Sequence, residues 1–173
     1  RFSGIGYAPD GEIERDGARL TELPTALHDL LTIAILCNDA VVRLEENTWT
    51  ITGDPTEAAL VAAAEKAGLP SQDLRSHHAR LDVIPFESDS KFMATLHNID
   101  GKNHILLKGA PETVLERCAL GEAELSRINN AMATYARQGM RVIAFAHKKN
   151  VSADQIQSEA VRGGLQFAGL LCM

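Results

Sequence analysis

Phe86, Lys91 and Lys108 are the residues whose types and spacing could do chemistry, and the chemistry they suit is the holding of a nucleotide. Phe86 and Lys91 lie on the polar connector Pro85-Phe86-Glu87-Ser88-Asp89-Ser90-Lys91, while Lys108 closes the apolar run Ile105-Leu106-Leu107. A base has a π-face that stacks on an aromatic ring, and its phosphates are anions that lysine and arginine neutralise. Gly109, next to Lys108, has no side chain to keep a ligand from the backbone. Glu57, in the first turn of a separate helix, could accept from the exocyclic amine of a base. Each residue also has a plain alternative: Phe86 as core, the lysines as solvated cations, Glu57 as a carboxylate favoured by the helix dipole.

Other chemistries have less support. Neither GxxxxGK[ST] nor GxGxxG occurs, so the common phosphate-cradling loops are absent. His77 and His78 are adjacent, which points their rings apart, and no Cys or Asp stands at a ligand spacing from them. We assign no metal ligands. Ser88, Ser90 and Cys118 lack a His and acid partner that the sequence would reveal, so no catalytic nucleophile is assigned.

The elements that must position these groups alternate along the chain. Phe2 to Ile13 reads as a hairpin around Ala8-Pro9-Asp10-Gly11. Thr25 is placed as the N-cap of a helix reaching Cys37, with Leu27, Leu30, Leu31, Ala34 and Ile35 on its apolar face. Strands follow at Val41 to Leu44 and Trp49 to Thr52, joined through Glu45-Glu46-Asn47. Asp54 as N-cap and Pro55 at the first helical position open an alanine-rich helix that Gly68 stops. A short helix and loop span Pro70 to His78. Ala79 to Pro85, Met93 to Ile99 and His104 to Lys108 are strands, the last two joined at Asp100-Gly101. Pro111 opens a helix through Cys118, and Glu122 to Gln138 forms a longer one with Leu125, Ile128, Met132 and Tyr135 on one face. Arg141 to Ala146 is a buried strand, Ser152 to Arg162 a helix with a Ser N-cap, and Leu165 to Leu171 a last strand. The expected class is α+β: one domain over residues 1–173, with an antiparallel sheet of about six strands flanked by helices.

Composition bounds the function. With 173 residues and 45% hydrophobic content the chain can bury one sizeable core. A formal charge of -6 argues against a general nucleic-acid surface. No apolar run reaches the roughly 18 to 20 residues that span a bilayer, so direct membrane insertion of this stretch is not expected. Cys37, Cys118 and Cys172 form no CxxC and leave one over if paired, which suits a reduced, cytoplasmic setting. The sequence opens on Arg1 and stops in an apolar run, so we expect a domain cut from a longer protein.

Five stretches in order carry a resemblance: Cys37-Asn38-Asp39, GDPTEAAL from Gly53 to Leu60, PFESDSKFM from Pro85 to Met93, KGAPE from Lys108 to Glu112, and GMRVIAFA from Gly139 to Ala146. Together they resemble the nucleotide-binding (N) domain of P-type cation-transporting ATPases of the calcium and sodium-potassium pump class. The resemblance implies ATP with its adenine stacked on Phe86, near Lys91 and Lys108, and Glu57 near the base. Gly109 would let the backbone approach the ring, Arg141 would reach the phosphates, and Ile143 would line the base or ribose region.

The resemblance also implies a cytoplasmic domain of an integral membrane pump. Phosphorylation and actuator domains of the same chain would be its partners, and magnesium would be held mainly outside this domain. Ser88 departs from it, because the calcium pumps carry arginine there, so weaker ATP binding is expected. The DKTGT motif with the phosphorylated aspartate is absent. A fragment of this kind would bind ATP without hydrolysing it, as a monomer. A second reading stays open: a regulatory or interaction domain with the same fold and little nucleotide affinity.

Overall fold

In the computed structural model, which describes residues 1–173, three two-residue turns set the strand pairing. Asp16-Gly17, Glu46-Asn47 and Asp100-Gly101 all have positive φ at both positions, the geometry that matches strand twist in tight hairpins. The first closes β1 (Glu14–Arg15) on β2 (Ala18–Arg19), the second β3 (Val41–Glu45) on β4 (Thr48–Thr52), and the third β6 (Phe92–Ile99) on β7 (Lys102–Gly109). The residues divide into two compact units, Arg1–His77 and His78–Met173. Each carries part of an α+β arrangement.

In the first unit, helix α1 (Thr25–Leu36) buries Leu30, Leu31 and Ile33 to Leu36. Thr25 is its first helical residue and not its N-cap. Pro24, extended at φ -58 and ψ 141, takes that position and accepts from the Leu27 and His28 amides, so no side chain caps this end. Carbonyls in the last turn of α1 and just beyond it are met by the Arg75 guanidinium, which donates from Nη2 to Ile35 O at 3.2 Å, Asn38 O at 3.3 Å and Ala40 O at 2.9 Å. Arg75 belongs to the short helix α3 (Ser71–His77). Helix α2 (Pro55–Lys66) starts as expected: Asp54 Oδ1 accepts from the Thr56 amide at 2.8 Å and the Glu57 amide at 3.1 Å. Near the N-terminus, Phe2 and Ile13 pair antiparallel, as the expected hairpin requires.

The second unit is built on one antiparallel sheet in the order β5-β6-β7-β8-β9, where β5 is Arg80–Ile84, β8 Val142–Val151 and β9 Gln166–Cys172. The sheet has five strands, in line with the expectation of about six, and the remaining pairs stand apart as hairpins. Alternation divides its side chains. Phe92, Ala94 and Leu96, with Ile105, Leu107, Ala144 and Ala146, form one core with Val114 of helix α4 (Pro111–Leu115), Val161 and Leu165. Met93, Thr95, Leu106, Lys108 and Phe145 are buried on the opposite face. With both faces buried, the central strands read as continuous apolar runs.

One further expectation fails here. The helix placed over Ser152 to Arg162 is absent: β8 continues to Val151, and only a single 3-10 turn forms at Ser158–Val161. Neighbouring strands hold the intervening backbone in place of helical bonds. Asn103 Nδ2 donates to Ala153 O at 3.0 Å, and Asp82 Oδ2 accepts from the Ile156 amide at 2.8 Å. The expected long helix is present as α5 (Glu122–Ala136), though its apolar stripe buries no residue and leaves Leu125 and Tyr135 exposed. No helix is long and apolar enough to cross a membrane.

Candidate functional site

One end of the five-stranded sheet gathers most of the residues singled out above. Register pairs Phe92 with Gly109 and Gly109 with Ala144, so the start of β6, the end of β7 and the start of β8 lie side by side. Lys108 stands in a row between Met93 and Phe145. It is only 5% exposed, so the description of a solvated lysine does not hold. Ile143, half-buried, shares the face of Phe145 two residues away and pairs with Leu171. Arg141 is exposed at the mouth of β8, where its amide donates to Met173 O at 2.7 Å.

The connector between β5 and β6 is stapled to the corner that follows β7. The Ala110 amide donates to Lys91 O at 2.9 Å, and the Lys91 amide donates back to Glu87 O at 2.8 Å. Lys91 Nζ lies 3.8 Å from Glu112 Oε1. Gly109 makes this closeness possible: a Cβ there would stand 2.4 Å from Lys91 O and 2.8 Å from Phe92 Cα, distances no side chain accepts. Its bareness therefore serves packing between two backbones. Phe86, on the same connector, is 57% exposed, so its ring is not core.

Glu57 is placed in the first unit, where two of the quoted motifs hold each other. Its Oε2 accepts from the Asp39 amide at 3.1 Å, while its carbonyl accepts from Asn38 Nδ2 at 3.0 Å. Asn38 Nδ2 also donates to Ala34 O at 3.0 Å, and its Oδ1 accepts from the Ala40 amide at 2.8 Å. Asn38 is 1% exposed, so these bonds occupy a buried amide that would otherwise be costly. The sequence marks Asn38 only as a helix end and part of a motif, although a place between a helix end and a strand is where Asn commonly satisfies backbone groups.

The remaining reactive groups are quiet. All three cysteines are free; burial raises the Cys118 thiol to about 11 and pushes Cys172 up as well, which disfavours a nucleophilic thiolate. His77 Nδ1 lies 2.7 Å from Asp73 O in its own helix. An open groove of about 660 Å³ is found at the opposite end of the sheet, lined by Asn98, Lys102, Asn103, Asn150 and Asp154, and nothing in the sequence reading pointed to it.

Residues 26–173 match the family described as P-type ATPase, cytoplasmic domain N. This chain belongs to that family. Among curated relatives, the N domain is 41% identical to the Cation-transporting ATPase pma1 of Synechocystis sp., over 97% of this chain and 20% of that protein. It is 32% identical to the Probable cation-transporting ATPase F of Mycobacterium bovis, over 100% of this chain and 20% of that protein. With the Calcium-transporting ATPase 1 of Bacillus cereus it shares 34% identity over 79% of this chain and 16% of that protein. The chain thus spans about a fifth of the length of the first two of these relatives. In this N domain the sheet end carries Lys108, Gly109, Arg141 and Ile143, and the connector adds Phe86 and Lys91.

Proposed function

We propose that this N domain binds ATP at the Phe86–Lys108 corner and presents the γ-phosphate to an aspartate on a separate phosphorylation domain of a cation-transporting pump. The observation that carries the reading is Phe86. A phenylalanine more than half exposed on a connector hydrogen-bonded at Lys91 to the KGAPE corner is an aromatic surface offered for stacking. Base-on-aromatic stacking contributes about 1 to 3 kcal/mol. Lys91 supplies an exposed cation for the phosphates, Arg141 a second, and Ile143 an apolar wall. Lys108 contributes a buried positive charge beside Met93 and Phe145. Gly109 supports the pocket by letting the connector close on β7. Glu57 enters the proposal through its motif alone, since its carboxylate already accepts from the Asp39 amide, and Glu57→Gln tests it by nucleotide affinity.

The pump's activity follows as part of the same reading. On this reading hydrolysis uses a phosphorylated aspartate, magnesium and an actuator domain that lie outside these 173 residues. What the chain contributes is position: holding ATP so that the reacting phosphorus can be brought to a nucleophile by domain closure. The relatives named above are cation and calcium transporters, which supports a membrane pump with this domain on its cytoplasmic side.

Calorimetric titration with ATP tests the reading, using Lys108→Met beside the parent chain. Methionine keeps most of the buried volume, whereas alanine at a 5% exposed site would open a cavity and confuse folding with binding. Weaker ATP binding by Lys108→Met supports the reading. Unchanged affinity, or a parent chain silent in millimolar ATP, favours the interaction-domain alternative that Ser88 motivates.

A further inference from the structure

Lys91 is fixed more firmly than an exposed lysine needs to be. Its amide and carbonyl are both hydrogen-bonded, to Glu87 O at 2.8 Å and from the Ala110 amide at 2.9 Å. Between them its backbone is left-handed, at φ 55, a conformation that costs a residue with a side chain. The two bonds therefore decide where the side chain leaves the backbone. At the other end of that side chain, the ammonium lies 3.8 Å from Glu112 Oε1. Both side chains are more than half exposed, at 56% and 63%, so water and salt screen the pair and it exchanges easily. A polyanion entering this corner would compete with one carboxylate for the same ammonium, with more charge and more acceptor oxygens.

We propose that Glu112 is a counter-ion gate for Lys91: it holds the ammonium in the nucleotide-free domain and yields it to the phosphates of ATP. Glu112 is thus a positioning residue, acting through Lys91 and not by touching the nucleotide. The inference rests on the nucleotide reading above and adds the residue that sets how strongly the phosphates are held. Its consequence is specific to phosphate. Removing the carboxylate charge frees Lys91 for ATP and ADP but changes nothing for adenosine.

The test is Glu112→Gln, titrated calorimetrically with ATP, ADP and adenosine at low salt in the parent and in a Lys91→Gln background. The expected result is about two- to five-fold tighter ATP binding, the range open to an exposed ion pair. A smaller gain is expected for ADP, none for adenosine, and the ATP gain disappears in Lys91→Gln. An equal gain with and without Lys91 would mean direct repulsion of phosphate by Glu112 and overturns the gate. No change, or weaker ATP binding, overturns it as well, the latter by showing that Glu112 holds Lys91 in its productive place. A parent chain that binds neither ATP nor adenosine overturns the nucleotide reading and the gate together. One that binds ATP but ignores Glu112→Gln overturns the gate alone.

Discussion

Two motif-bearing corners of this N domain differ in what their polar groups do. In the first unit, Asn38, Asp54 and Glu57 are engaged: each hydrogen-bonds backbone amides or carbonyls, and Asn38 and Glu57 tie the segment after α1 to the start of α2. At the sheet end of the second unit, Phe86 stands open, and Lys91 meets Glu112 at an exposed distance of 3.8 Å. The first corner is joined to itself, and the second is available to a ligand. Membership of a motif therefore does not by itself mark a ligand contact. On the proposed reading, the satisfaction of a residue's hydrogen bonds would separate the two kinds.

Substitution can break this contrast, and the largest effect is expected at Gly109. Gly109→Val places side-chain carbon against Lys91 O and Phe92 Cα in a buried strand, where only backbone can yield. We expect a loss of about 3 kcal/mol or more by urea denaturation, with ATP binding lost through the displaced connector. Asn38→Ala should come next, at about 2 to 3 kcal/mol, because it strips partners from buried backbone groups at Ala34, Ala40 and Glu57.

Phe86→Ala reverses the pattern. Stability should hold within about 0.5 kcal/mol, as for an exposed site, while ATP affinity falls about ten-fold or more. Asp54→Ala removes the N-cap of α2 and should cost about 1 kcal/mol of stability.

The smallest expected effect is a pH slope away from both corners. Burial holds His104 below its ordinary value, helped by Lys149 and Lys102 and slightly by His78, with Asp100 opposing. As pH falls through about 6.5, the unfolded histidine takes its proton before the folded one. This residue's contribution therefore lowers stability as pH drops below that point, until the folded form protonates too, and it is absent above. His104→Gln should flatten that slope in denaturation midpoints measured on either side of pH 6.5.

Much of the fold is legible in the sequence because its signals are local. Asp100-Gly101, Asp54-Pro55 and Gly68 each act within a few residues, and each stands where turn and cap chemistry puts it. The misses are non-local. The segment after Ser152 has helix-compatible residues, yet Asn103 and Asp82, 50 and 74 residues away, hold its backbone extended and irregular. Thr25 loses its capping place to the proline before it. At the site, Phe86 and Lys108 could be named from type and motif, but whether each is exposed could not. The register that buries Lys108 between Met93 and Phe145, and the close approach that Gly109 permits, arise only when three strands meet.

The central claim is that the open corner is the nucleotide site. It is tested most directly by following backbone amide chemical shifts of the chain during an ATP titration. The account predicts saturable shifts at Phe86, Lys91, Lys108 and Gly109, with the Asn38 and Ala40 amides of the self-satisfied corner moving least. Silence at those four residues in millimolar ATP, or shifts confined to the groove around Asn103 and Asn150, would contradict it.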